Sequence, residues 1–191
     1  MSGKQAKILS HQAVEELLFF AETTRHPQRN RVIVLLSVKG GLRAAEIANV
    51  TWEMIETPTG DIGTSIELRD EAAKMGRGRR VPIHADLRAA LVTWRKKCGS
   101  AGAVVRSERG HPMTALSIVV WFSRVYQATG LEGCSSHSGR RTFITRAARN
   151  VHKAGGSLRD VQVLAGHRSI QTTQRYIDGD SDAQRRLISL I

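Results

Sequence analysis

Between Cys134 and Tyr176 the chain reads CSSHSGRRTFITRAARNVHKAGGSLRDVQVLAGHRSIQTTQRY. His137 stands three residues before Arg140, His167 follows Gly166, and Tyr176 comes nine residues after that second histidine. One candidate nucleophile, two imidazoles and a guanidinium in this span suit chemistry on a phosphate. Singly, each residue has a plainer explanation. A lone Tyr is mostly a half-buried packing residue, an Arg at a helix start is mostly solvated, and most histidines are structural. Their joint spacing is what points to a site.

A tyrosine hydroxyl has a reference pKa of about 10, so as a nucleophile at neutral pH it needs help worth about 4 kcal/mol. Attack on a phosphodiester concentrates negative charge on two non-bridging oxygens. Two Arg forks stabilise that charge better than ammonium groups because they bind it bidentately. The leaving sugar oxygen needs a general acid, and a lysine on a hairpin tip can reach it. The chain has no HExxH motif, no paired carboxylates and no Cys/His ligand cluster. Arg, Lys and His are therefore expected to supply the charge, with no metal. No strand leads into a Gly-rich turn with phosphate-loop spacing, so no cofactor is expected either.

The elements that must position these groups are legible in outline. Ser10 reads as the N-cap of a first helix whose Val14, Leu17, Leu18 and Ala21 form one apolar stripe. A second helix spans Asn30 to Val38 and breaks at Gly40-Gly41. In GLRAAEIANVTWEMI, Ala44, Ile47 and Ala48 share a helical face, with Trp52 and Ile55 as core anchors. From Ser65 the period becomes extended: Ser65–Arg69 and Arg79–Ile83 make a β-hairpin with Lys74 near its tip, joined by a strand around Met54–Glu56. Pro82 assigns the last strand to an edge. Helices return over Asp86–Lys97, with Leu87, Leu91 and Trp94 inward, and over Thr114–Ala128, with Leu116, Val119, Val120 and Val125 expected inside. A further helix runs from His137 to about Lys153. Ser157 and Asp160 form a capping box for one that ends at Gly166, and Ser169 caps the short helix leading to Tyr176. Asp182–Ile191 reads as a terminal helix with Leu187, Ile188 and Ile191 on one side. The pattern predicts an α+β fold, mainly helical with a small three-stranded antiparallel sheet.

Length and charge bound the partners. At 191 residues the chain is long enough for one domain with a substantial core. Lys and Arg outnumber Asp and Glu by 29 to 17, a net charge of +12. Acidic residues serve solubility better than basic ones, so the excess argues for a polyanionic partner, nucleic acid first. The longest apolar stretch, Val32–Val38, is far too short to span a membrane. Two cysteines, Cys98 and Cys134, with no CxxC, imply a reducing compartment and hence a cytoplasmic chain.

The order Arg43 (GLRAAEI), Lys74 (KMGRGRR), His137 and Arg140 (HSGR), Gly166-His167 (LAGH) and Tyr176 resembles the tyrosine recombinase, or phage integrase, family. The resemblance covers the chain from Arg25 onward. It implies the family's catalytic-domain fold as a single domain over residues 1–191. Arg43 and Arg140 are implied to grip a scissile phosphate, His137 and His167 to assist phosphate contact and proton movement, and Lys74 to be the general acid. Tyr176 is implied to form a 3′-phosphotyrosyl link, which conserves the bond energy so that rejoining needs no cofactor. Glu46 matches the family's acidic position that supports the site. The implied partners are double-stranded DNA and further copies of the chain, a tetramer on DNA, with the C-terminal helix either docked in trans or packed by the same apolar stripe within its own chain. Arg77, Arg79, Arg80, Arg141, Arg146, Arg168 and Arg175 are expected to track the duplex backbone, positioning without reading sequence.

Two departures stand out. Gly139 occupies a position where the family usually has Leu, which is expected to remove a buried anchor and loosen Arg140. Most members also carry an N-terminal DNA-clamping domain, and only about 25 residues precede the pattern here, so a minimal recombinase or a catalytic fragment is expected. The rival readings are a non-catalytic DNA-binding regulator, either a helix-turn-helix built on Ala44–Ile55 or a binding-only relative, and a metal-dependent nuclease. A type IB topoisomerase would share the chemistry without synapsis.

Overall fold

The structure is a computed structural model and describes residues 6–70, 78–176 and 188–189. Its helices are α1 (His11–Glu22), α2 (Pro27–Val38), α3 (Ala44–Asn49), α4 (Ala85–Cys98), α5 (Ala115–Ala128), α6 (Ser138–Asn150), α7 (Leu158–Ala165) and α8 (Ile170–Gln174). Two strands, β1 (Ser65–Leu68) and β2 (Arg79–Pro82), pair antiparallel with Leu68 opposite Arg79 and Ile66 opposite Val81.

The helix α2 organises the core. Val32, Ile33, Val34, Leu35 and Leu36 are all sealed from solvent, which places apolar side chains around its whole circumference. Such a helix must be covered on every side, and α1, α4 and α6 pack around it. It begins at Pro27 rather than at Asn30. A proline suits the first helical turn because its missing N–H has no intrahelical acceptor there. A smaller cluster of Ile144, Ala148, Val161 and Ala165 joins α6 to α7, with Tyr176 packed against it.

The sequence-derived caps hold. The side chains of Ser10 and Ser169 accept from the backbone N–H of Ala13 and Gln171, and Thr114, not singled out in the sequence as a cap, accepts from that of Ser117. Ser157 and Asp160 form their capping box, and α7 ends on Gly166 in the left-handed region. Two expectations fail, and one rival reading falls with them. Among the described residues the sheet has two strands, because Trp52–Met54 tightens into a 3-10 turn and Glu56 makes only an isolated bridge to Ile62. The inward face of α5 is Ile118, Phe122, Val125 and Tyr126, whereas Leu116 is 71% exposed and Val119 and Val120 lie at the surface. No recognition helix follows α3 before the strands, so Ala44–Ile55 is not a helix-turn-helix. The terminal helix expected over Asp182–Ile191 lies outside the described residues save for 188–189, and so does the hairpin tip with Lys74 and Arg77. Among the described residues no helix is long and apolar enough to cross a membrane.

Candidate active site

Arg43 is the N-cap of α3, where the chain is still extended. Glu46, one turn on, reaches back: its Oε2 accepts from the Arg43 backbone N–H at 2.8 Å and its Oε1 from the Arg43 guanidinium at 2.9 Å. A residue that caps a helix in this way has its side chain aimed by the cap itself. Glu46 is fully buried. Burial alone would push its carboxyl up, but the hydrogen bonds and charge of Arg79, then of Arg43, outweigh it and hold the group at about 2.

Arg140, in the first turn of α6, is only 3% exposed. It donates from Nη1 to the Gly41 carbonyl at 2.6 Å and from Nη2 to the Ala165 carbonyl at 2.5 Å. Gly41 is needed for this. Its φ of 64° lies in the left-handed region, and a Cβ there would run into the Phe143 ring. Burial first, and then the charge of Arg43, pull the Arg140 guanidinium down to about 9. The positive charge is therefore crowded and under-compensated, as suits a site that receives an anion.

Gly139 does not loosen this arrangement. A Cβ at that position would collide with Ser37 Oγ and lie 3.0 Å from Val38 Cγ1, both on α2. The missing side chain lets α6 pack directly on α2, and that close approach places Arg140 beneath the Gly41 turn.

The last members arrive through α7 and α8. Gly166 ends α7 at φ 62° and turns the chain so that His167 faces inward. His167 Nδ1 lies 2.9 Å from Thr173 Oγ1, and its ring stacks on Tyr176 with centroids 5.5 Å apart at 21°. Burial first, then the charges of Arg140, Arg43 and Arg79, lower its pKa to about 4, so the imidazole is neutral at physiological pH. Tyr176 is half-buried, and the Arg141 guanidinium sits over its ring at 5.8 Å. An open cleft of about 390 Å³ is lined by His137, Arg140, Arg141, Arg175 and Tyr176, among others. His137 is exposed at the start of α6.

The structure thus brings together Arg43, Glu46, His137, Arg140, His167 and Tyr176 from four separate stretches of chain. Arg168 and Arg175 are exposed. Arg80 is also exposed but pairs with Glu67 at 2.5 Å. Arg146 donates to the Leu9 carbonyl at 3.2 Å, tying α6 to the chain entering α1. Arg79 has a different place from the duplex-facing one expected. Its side chain turns inward, and both its terminal nitrogens bind Glu46. Strand alternation could have shown this, since Arg79 shares a face with buried Val81 while Arg80 shares one with exposed Pro82. Thr173, buried against His167, carried no such signal.

Mainly helical, with a two-stranded sheet and a tyrosine set among arginines and histidines, the protein has the tyrosine recombinase catalytic-domain architecture. The pattern of the phage integrase family matches residues 7–182, and the chain belongs to that family. Among curated relatives, tyrosine recombinase XerC of Rhizobium meliloti (strain 1021) is 32% identical over 158 residues, covering 80% of this chain and 46% of the relative. The chain spans about half the length of the curated relatives it matches. The crystal structure of XerA recombinase superimposes with a TM-score of 0.76 at 23% identity, over 96% of this chain and 64% of that one. The XerH site-specific recombinase bound to palindromic difH substrate, in a post-cleavage complex, gives 0.76 at 20% identity over 99% and 54%. Likeness at this level of identity speaks for the fold.

Proposed function

We propose that the chain is the catalytic domain of a site-specific DNA recombinase that cuts and rejoins strands through Tyr176. The observation that carries this reading is one cleft holding a tyrosine hydroxyl beside a buried, under-compensated guanidinium. In the proposed step the Tyr176 oxygen attacks the scissile phosphorus and the bond from phosphorus to the 5′ oxygen breaks. A 3′-phosphotyrosyl bond forms, and the 5′ oxygen leaves as a hydroxyl after taking a proton. Lys74 is assigned that proton transfer. Arg43 and Arg140 neutralise the two non-bridging oxygens, where fixed guanidinium forks are most effective. Neutral His167 is suited to hydrogen-bond the phosphate or accept the tyrosine proton, and His137, at the cleft mouth, to contact the same phosphate.

Double-stranded DNA is the substrate under this reading, and the functional assembly is several copies on DNA, a tetramer, with the C-terminal segment as the connection between them. Arg141, Arg168 and Arg175 are assigned to phosphates flanking the cut. The test uses duplexes selected from a random pool by binding, each then nicked near the protected centre so that cleavage cannot be reversed. Wild-type protein is expected to yield a covalent protein–DNA complex that survives denaturation, and Tyr176→Phe none. A complex that persists in Tyr176→Phe, or none from the wild type, sinks the proposal. Cutting abolished by a chelator, with no adduct, would mark a metal-dependent nuclease instead.

A further inference from the structure

Arg79 lies at the start of β2, next to an exposed arginine, yet its side chain is 5% exposed. Its planar fork takes both oxygens of Glu46, Nη1 to Oε1 at 2.8 Å and Nη2 to Oε2 at 3.0 Å. Its Nε donates to the Leu164 carbonyl at 2.9 Å, three residues before His167. The fit around it is close, since a Cβ on Gly166 would come within 3.0 Å of Arg79 Nη1. One side chain therefore joins the strand, the cap of α3 and the turn that carries His167.

Glu46 has three cationic neighbours. Arg79 holds it at 2.8 Å and Arg43 at 2.9 Å, but Arg140 stands off at 3.9 Å. A carboxylate can accept two parallel bonds from one guanidinium, and a bidentate partner fixes its plane. A buried carboxylate that loses its main partner is left uncompensated and must find another charge. Arg43 is already bonded to it, so the nearest cation not yet in contact is Arg140.

We propose that Arg79 is a positioning residue: by occupying Glu46 and anchoring the turn before His167, it keeps Glu46 off Arg140, whose N–H groups not taken by the Gly41 and Ala165 carbonyls then serve the scissile phosphate. The role rests on the strand-transfer reading, and it differs from contact with the duplex because the Arg79 fork is already filled from inside. Without Arg79, Glu46 closes on Arg140 and neutralises a charge the phosphate needs. Taking the charge off Glu46 should then undo much of the damage. Glu46→Gln keeps an oxygen for the Arg43 backbone N–H but cannot quench Arg140.

The test compares wild type, Arg79→Lys, Arg79→Gln and Arg79→Gln/Glu46→Gln. Two readouts are used: the rate of covalent complex formation on the nicked duplex, and binding of inorganic orthovanadate by calorimetry, which needs no DNA cleavage. A displacement of the phosphate-binding fork by even 1 Å can cost about a hundredfold, so Arg79→Gln is expected to lose about that much rate and to bind vanadate more weakly. Arg79→Lys, which keeps the charge without the fork, falls between. The double variant regains most of the vanadate affinity, which a purely structural lesion would not. Thermal melting checks folding. If Arg79→Gln does not fold, the Arg79→Lys deficit and the double variant carry the comparison. Wild-type behaviour in Arg79→Gln, a double variant no better than the single, or no vanadate binding by any of these proteins overturns the proposal. If the wild type forms no covalent complex while the vanadate pattern holds, the strand-transfer reading falls and the positioning role stands.

Discussion

Glu46 and His167 give the site an acid limit whose direction follows from their surroundings. Glu46 titrates at about 2 against an ordinary 4.5, and His167 at about 4 against an ordinary 6.5. Both folded values lie below the unfolded ones, so in acid the unfolded chain binds more protons than the folded one. The stabilisation is complete above 6.5, declines first through His167, then through Glu46 below 4.5, and is lost near 2. Urea midpoints measured from about pH 8 down to about pH 3 should fall in that order. His167→Gln should flatten the curve between 6.5 and 4 and leave the lower part unchanged. Superimposable curves for variant and wild type would show that the imidazole titrates normally. At this scale the sequence was informative about which residue types gather and less so about where each points. Arg79 and Arg80 are indistinguishable as a basic pair, and only the strand's alternation separates the buried fork from the exposed one.

Elements were legible where the signal is local and ambiguous where it is not. The serine caps are chemistry within a few residues, and each of them holds. The helix α5 reads ALSIVVWFSRVYQA, apolar nearly all round, so two stripes of helical period compete. Leu116, Val119 and Val120 form one; Ile118, Phe122 and Val125 form the one that packs. Replacing Phe122 by Ala should cost about 3–5 kcal/mol, whereas Leu116→Ser should stay within about 0.5 kcal/mol, both read from denaturant melts. The expected third strand failed for a similar reason. Thr51 bridges to Ala103 and the Val104 N–H donates to the Val50 carbonyl, pairings about fifty residues apart that no local pattern encodes. The contact between α2 and α6 carries its own prediction. Gly139→Ala gains up to about 1 kcal/mol of helix propensity but forces the new methyl onto Ser37 and Val38, where overpacking costs about 1–3 kcal/mol. The net expectation is lower stability, relieved in Gly139→Ala/Ser37→Gly. A stabilised single variant would mean that the helices have room to part.

For the molecule as a whole, the net charge of +12 is unevenly invested. Arg79 is buried and committed to carboxylate and carbonyl partners, so it adds to the field in the cleft without meeting a strand, while Arg140, held by two carbonyls, is fixed at the cleft and cannot follow the flanking backbone. Arg168 and Arg175 are exposed beside the two grooves that flank His167 and Tyr176, and they can meet phosphates. This division predicts the salt dependence of DNA binding. Each neutralised phosphate contributes about 0.9 to the slope of log affinity against log salt. Arg168→Ala and Arg175→Ala should each make that slope shallower by about 1, and the double variant by about 2, at every duplex sequence tried. Binding isotherms by fluorescence anisotropy across a salt series measure this directly. Unchanged slopes would mean that these two side chains meet only water. A loss confined to particular sequences would mean that they touch base edges, and the assignment of flanking backbone contacts would have to move elsewhere on the surface.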